Sequence, residues 1–153
     1  MELKDKDKEL KRKCWEVAGT CVAGNLRRVS RAVAKVYDVA LKPSGLRGTQ
    51  FNLMTAIIIM GPVAISKLAE VLAMDRTTLT RNLGPLQKQG LVDISAGDDQ
   101  RTRIVEMTLE GKQIYQQALP LWDKAQNEMA GKLGKDRIKS LLVDLKAAAK
   151  VVG

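Results

Sequence analysis

The chain has 153 residues, enough for one domain or two small lobes sharing a core, and 45% hydrophobic residues can fill that core although aromatics are only 3%. Its 26 Lys and Arg outnumber 17 Asp and Glu, and the formal net charge of +9 suits a polyanionic partner, either nucleic acid or an anionic membrane. The absence of histidine rules out Ser-His and Cys-His catalysis and removes the usual zinc ligands, and two cysteines do not make a disulfide framework.

No apolar run approaches the roughly 18 residues needed to span a bilayer. The longest, Ala56-Ile57-Ile58-Ile59-Met60, suits a buried helix. The first residues are charged and lack the apolar core of a signal peptide, so a cytoplasmic location without membrane association is expected.

From Lys4 to about Leu41, apolar residues recur at helical spacing: Leu10, Cys14, Val17 and Cys21, then Val22, Leu26, Val29, Val33 and Val36. This predicts one long helix, bent around Gly19 or Gly24, whose stripe needs a partner to cover it. Lys42-Pro43-Ser44-Gly45 breaks it. Thr49 is the expected cap of a helix from Gln50 to about Met60, ended by Gly61-Pro62. Ser66 is the expected cap of a short helix from Lys67 to Ala73. After a turn at Met74-Asp75, Asp75 caps Arg76 to Gln89, and Gly90 stops it. Pro85 inside that helix, with Gly84 beside it, predicts a bend or local widening near Arg81 to Gly84.

Leu91 to Ser95 and Thr102 to Met107 alternate well enough for two strands, joined by Gly97-Asp98-Asp99-Gln100-Arg101. Thr108 should cap a long helix from Leu109 to about Lys132, kinked at Pro120. After a break at Leu133-Gly134, a last helix runs from Asp136 to Val152. The fold class is therefore mainly α with a small β-hairpin wing.

A helix pair followed by a basic hairpin is a device for gripping duplex DNA, with the second helix in the major groove and the hairpin reaching toward the minor groove. Leu79, Leu83 and Leu86 share one face, so Thr77, Thr78, Thr80 and Arg81 project elsewhere. Threonine can bond a base edge or touch a thymine methyl, and arginine can bond guanine or phosphate. Ser66, Arg76, Lys88, Arg101 and Arg103 complete the candidate DNA contacts. Asp99 is the candidate wing-orienting residue, a carboxylate placed to hold the Arg101 guanidinium. An ordinary amphipathic surface helix and a solvated turn are the plain alternatives.

Leu68-Ala69, Asp75, Thr77-Thr78-Leu79-Thr80-Arg81, Leu86, Gly90-Leu91-Val92, Asp99-x-Arg101 and Leu109-x-Gly111 together resemble the MarR family of winged-helix transcription regulators. The likeness is strongest from Ser66 to Gly111, with Met107 where the family has leucine and Pro85 outside its general pattern. It implies a winged helix-turn-helix DNA-binding domain at 46–108 and a helical dimerisation region made of 1–45 and 109–153. It also implies an obligate homodimer on a pseudo-palindromic operator, expected to act as a repressor.

Release from DNA is expected through a small ligand or through thiol oxidation. Cys14 and Cys21 lie seven residues apart, about 10.5 Å along one helix, too far to bridge within it. They are candidate redox sites, or else small buried hydrophobes in a dimer seam. Trp15, Phe51, Met54, Met60 and Trp122 could line a crevice for a small aromatic ligand, or else be core. No cofactor, metal or catalytic activity is expected. The alternative function is a protein-interaction module that uses the winged-helix scaffold to bind an acidic partner.

Overall fold

A computed structural model describes residues 2–99 and 101–152. They form seven helices and three short strands: α1 Glu2–Thr20, α2 Val22–Leu41, α3 Gly48–Met60, β1 Val63–Ala64, α4 Ile65–Val71, α5 Arg76–Lys88, β2 Val92–Ala96, β3 Arg103–Met107, α6 Leu109–Leu133 and α7 Lys135–Val152. The chain makes two compact units, 1–36 and 37–153.

In the first unit, the expected single helix is two. The chain leaves helical form at Cys21 rather than bending at Gly19 or Gly24. Asn25 fastens the break: its side-chain amide donates to the carbonyl of Cys21 at 2.9 Å. The apolar stripe stays uncovered, with Leu10, Trp15, Val17, Val22, Leu26 and Val29 all exposed.

In the second unit, a 3-10 turn at Lys42–Ser44 ends on Gly45 at φ 76 and leads into α3. The expected cap at Thr49 is displaced: Arg47 is the N-cap residue, and its N–H donates to the Gln50 side chain at 2.9 Å. The Gly48 N–H donates to Asp38 of α2 at 2.7 Å. Ser66 is likewise not a cap, because Ala64 holds that position and Ser66 lies in the first turn of α4. Ala64 is committed to β1, which pairs antiparallel with β3 (Val63 with Val105, Ala64 with Ile104). This two-residue strand turns the expected hairpin into a three-stranded sheet of order β1-β3-β2.

The core gathers the apolar faces of these elements. Leu41, Met54, Ile57, Leu68, Leu79, Leu83, Leu86 and Val105 are fully buried, and no polar side chain among the described residues is buried with them. α4 ends at Val71, and three residues, Leu72 to Met74, with Ala73 in the left-handed region at φ 49, precede the Asp75 cap. α5 then runs unbroken through Pro85, without opening into a wider turn. It stops at Gly90, where Leu91 N–H donates to Leu86 O at 2.9 Å and Gly90 N–H to Gln87 O at 3.0 Å, a glycine-terminated helix end. Thr108 caps α6 as expected, accepting from Gly111 N–H at 2.9 Å and donating to the Gly90 carbonyl at 2.7 Å.

Candidate nucleic-acid interface

α5 has a buried face and an outward face, and its sequence assigns both. Successive residues turn by about 100°. Leu79, Leu83 and Leu86 therefore face the core, each with no exposed surface. Thr77, Arg81, Gly84 and Lys88 fall on the opposite side, with Thr78 and Thr80 at its margins, while Arg76 opens the helix nearer the leucine side. Arg76, Thr77, Thr80, Arg81 and Lys88 are all exposed. None of the cations Arg76, Arg81, Lys88, Arg101 and Arg103 is held in an ion pair among the described residues. Free guanidinium and ammonium groups on one convex helix, with short hydroxyls between them, are what close contact with a polyanion needs.

The threonines divide by role. Thr78 is occupied: its N–H donates to Asp75 Oδ1 at 2.8 Å and its hydroxyl to Asp75 Oδ2 at 2.6 Å. Thr80 donates its hydroxyl to the Arg76 carbonyl at 2.8 Å, leaving oxygen lone pairs and a methyl for a partner. Thr77 has the least constrained hydroxyl of the three. Thr78 thus caps the helix through Asp75 and, being exposed, keeps its methyl group and oxygen lone pairs for a partner.

The wing repeats the device. Asp99 Oδ1 accepts from Thr102 N–H at 2.7 Å, and Oδ2 from the Thr102 hydroxyl at 2.9 Å. Below this turn, Gly97 N–H donates to Thr102 O at 2.8 Å, and Ala96 pairs with Arg103 as the first rung of the β2–β3 ladder. The expected tether between Asp99 and the Arg101 guanidinium is corrected: the turn brings Thr102, three residues on, onto both carboxylate oxygens. Asp99 still shapes the wing, but through the backbone, and Arg101 and Arg103 stand exposed on it. Gln100, within the same loop, lies outside the described residues.

These hydrogen bonds hold both carboxyls below the usual Asp value, with the Thr78 and Thr102 hydroxyls as the largest causes. A folded-state pKa below the unfolded value of about 3.9 means that each contribution is complete above that value and fades as pH falls through the folded one. We expect the Thr78 and Thr102 amide resonances to titrate with midpoints below about 3.9, and to lose that titration in Asp75→Asn and Asp99→Asn respectively.

One feature beside the reading face was not foreseen. Arg47, Thr49 and Gln50 at the start of α3 share with Asn82 and Pro85 of α5, and Gln89 just after it, a polar cleft of about 420 Å³ that has no carboxylate in its lining. Only the folded chain brings these two segments together, and Arg47 was the sole charge available as a hint. Ser66 is exposed in α4, while its neighbour Lys67 pairs with Glu70 at 2.9 Å.

The other candidates separate. Phe51 and Met54 are core, and Phe51 stacks on Tyr115 at 4.7 Å and on Trp122 at 6.2 Å between ring centroids. Met60 and Trp122 are partly buried against the same core, whereas Trp15 belongs to the first unit and is 80% exposed. Cys14 lies in α1 and Cys21 at the break after it, so they do not share one intact helix, and both are exposed in the single chain. Cys21 Sγ accepts from Gly24 N–H at 3.4 Å. Among the described residues, no cluster of three His, Cys, Asp or Glu could hold a metal ion, and no helix is long and apolar enough to cross a membrane.

The sequence model described as MarR family matches residues 44–102, which contain α3 to β2 and the wing turn. The crystal structure of the M. tuberculosis transcriptional regulator MosR in complex with DNA is 37% identical to this chain, covering 86% of it and 97% of MosR, with a TM-score of 0.75. The chain belongs to the MarR family. Its fold is also that of a mutant MarR from E. coli complexed with operator DNA, at a TM-score of 0.77 and 23% identity over 90% of this chain and 97% of that one. The uncharacterised HTH-type transcriptional regulator YwoH of Bacillus subtilis is 26% identical over 92 residues, 60% of this chain and 67% of that protein. This MarR-family chain is accordingly a winged-helix transcription regulator and not an enzyme.

Proposed function

We propose that the protein is a sequence-specific DNA-binding repressor acting as a homodimer on a pseudo-palindromic operator. The observation that carries the reading is the outward face of α5: unpaired Arg81 and Lys88 with Thr77 and Thr80 near them and Arg76 exposed at the helix start, beside a wing bearing Arg101 and Arg103. The DNA complex of the 37% identical MosR supports it. In this reading the start of α5 meets base edges in the major groove and the wing arginines follow the minor groove or its phosphates.

The homodimer rests on apolar surface that one chain leaves in water. Trp15 and Val22 are 80% and 70% exposed in the first unit, and Leu141, Leu142 and Leu145 of α7 are open in the second. Residues 1–45 and 109–153 are the proposed dimerisation region, and 46–108 the DNA-binding domain. Two-fold symmetry would set the recognition helices about 34 Å apart, one turn of DNA. Release is assigned to a small aromatic ligand or to oxidation of Cys14 or Cys21. Operator binding with and without peroxide, in wild type and Cys→Ser variants, separates these routes.

The test begins with selection of bound sites from random DNA, which should return a two-fold symmetric consensus. On that duplex, Arg81→Ala should weaken binding by about 1–3 kcal/mol and relax sequence choice. Arg101→Ala should cost a similar amount, about 1–3 kcal/mol, on most sequences if its contact is direct. Unaltered affinity in both variants would overturn the assigned contacts. Binding that falls steeply with salt but shows no preferred sequence would favour an acidic protein partner instead.

A further inference from the structure

Gly84 is half-buried on the outward side of α5, between Arg81 and Lys88 in sequence, where a glycine weakens the helix. Three ordinary reasons for a glycine fail there. Its backbone is helical and, unlike Gly45, Gly61, Gly90 and Gly134, it has no positive φ. Packing does not require it either: a Cβ built on Gly84 meets nothing within 4 Å.

The third reason is Pro85, whose ring crowds the Cβ of the preceding residue in helical conformation. The same step occurs inside α6, where Leu119 precedes Pro120 in an unbroken helix. A proline in a helix of this protein therefore tolerates a large side chain before it.

What remains is the space outside the chain. We propose that Gly84 is a contact notch: its missing side chain lets a sugar–phosphate strand of duplex DNA pass against the backbone of α5 between Arg81 and Lys88. This rests on the DNA-binding reading above. Helix-turn-helix proteins meet base edges with the first turns of the recognition helix. Gly84 is one turn beyond Arg81, where the helix leaves the groove floor and approaches its wall. A side chain there would hold the helix away from the duplex and shorten the reach of Arg81. Gly84 is thus a positioning residue for the cations on either side of it.

Gly84→Ala and Gly84→Val, each made alone and in a Pro85→Ala background, test this by fluorescence anisotropy on the selected duplex, with Arg81→Ala as control and melting temperatures recorded. Alanine at 84 should weaken binding by about tenfold and valine by more, in both backgrounds, at temperatures where every variant is folded. If Gly84→Ala with Pro85→Ala binds as tightly as Pro85→Ala alone, the glycine serves only the proline and the proposal is overturned. If Gly84→Ala binds like wild type while Arg81→Ala is weakened, the notch is overturned and the DNA reading stands. If wild type prefers no duplex, both fall together.

Discussion

Gly111→Ala should destabilise the protein by about 3 kcal/mol or more, a large share of the stability of a typical domain. A Cβ on Gly111 would lie 2.0 Å from the Leu91 carbonyl oxygen and 2.9 Å from its carbon. Both are backbone atoms, and the third neighbour, Met107 Cε at 2.9 Å, is the only flexible one. Backbone there is not free to retreat. Leu91 is fixed from behind by its N–H bond to Leu86, and its carbonyl accepts from Thr108 N–H at 3.2 Å. The clash would therefore push apart the end of α5 and the start of α6, and with them the registration of the wing. Urea denaturation measures it; a loss under about 1 kcal/mol would show that the junction yields where it looks rigid.

Leu83→Ala is expected to cost about 2–5 kcal/mol, because a fully buried leucine loses its transfer energy and leaves a cavity behind. Two residues away on the same helix, Arg81→Ala should leave stability within about 0.5 kcal/mol of wild type while weakening DNA binding. The pair makes a sharp comparison. One side of α5 is judged by denaturation and the other by anisotropy, and each readout should be nearly silent for the other variant once folded protein is compared. Equal loss of stability in both would mean that Arg81 packs rather than reaches outward.

How much of this was legible beforehand depends on the range of the interactions. The Asp75 cap, the leucine face of α5, the Gly90 stop and the Thr108 cap are settled within a turn or two of chain, and the residues announce them. β1 could not be read that way. Val63 and Ala64 become a strand only because β3, some forty residues later, offers them partners. The same reason hid the cleft between Arg47 and Asn82. Ser66 misled because a serine at the right spacing is a cap only if the preceding backbone is free, and here Ala64 is paired in the sheet. At Asp99, two potential partners stood two and three residues ahead, and turn geometry chose Thr102 over Arg101. The break at Cys21 had no proline to mark it. The outward Arg81 and Lys88 of α5, by contrast, were readable from periodicity alone, because a face opposite three leucines has only solvent or a partner to meet.

The two tryptophans report on separate events. Trp122 lies half-buried against Phe51 in the second unit, so its emission should shift to the red when the chain unfolds. Trp15 stands bare on α1, already in water, and the proposed homodimer predicts that its emission shifts to the blue on self-association. Leaving one indole in place at a time would turn a single fluorimeter cell into two independent gauges, one for loss of structure and one for self-association.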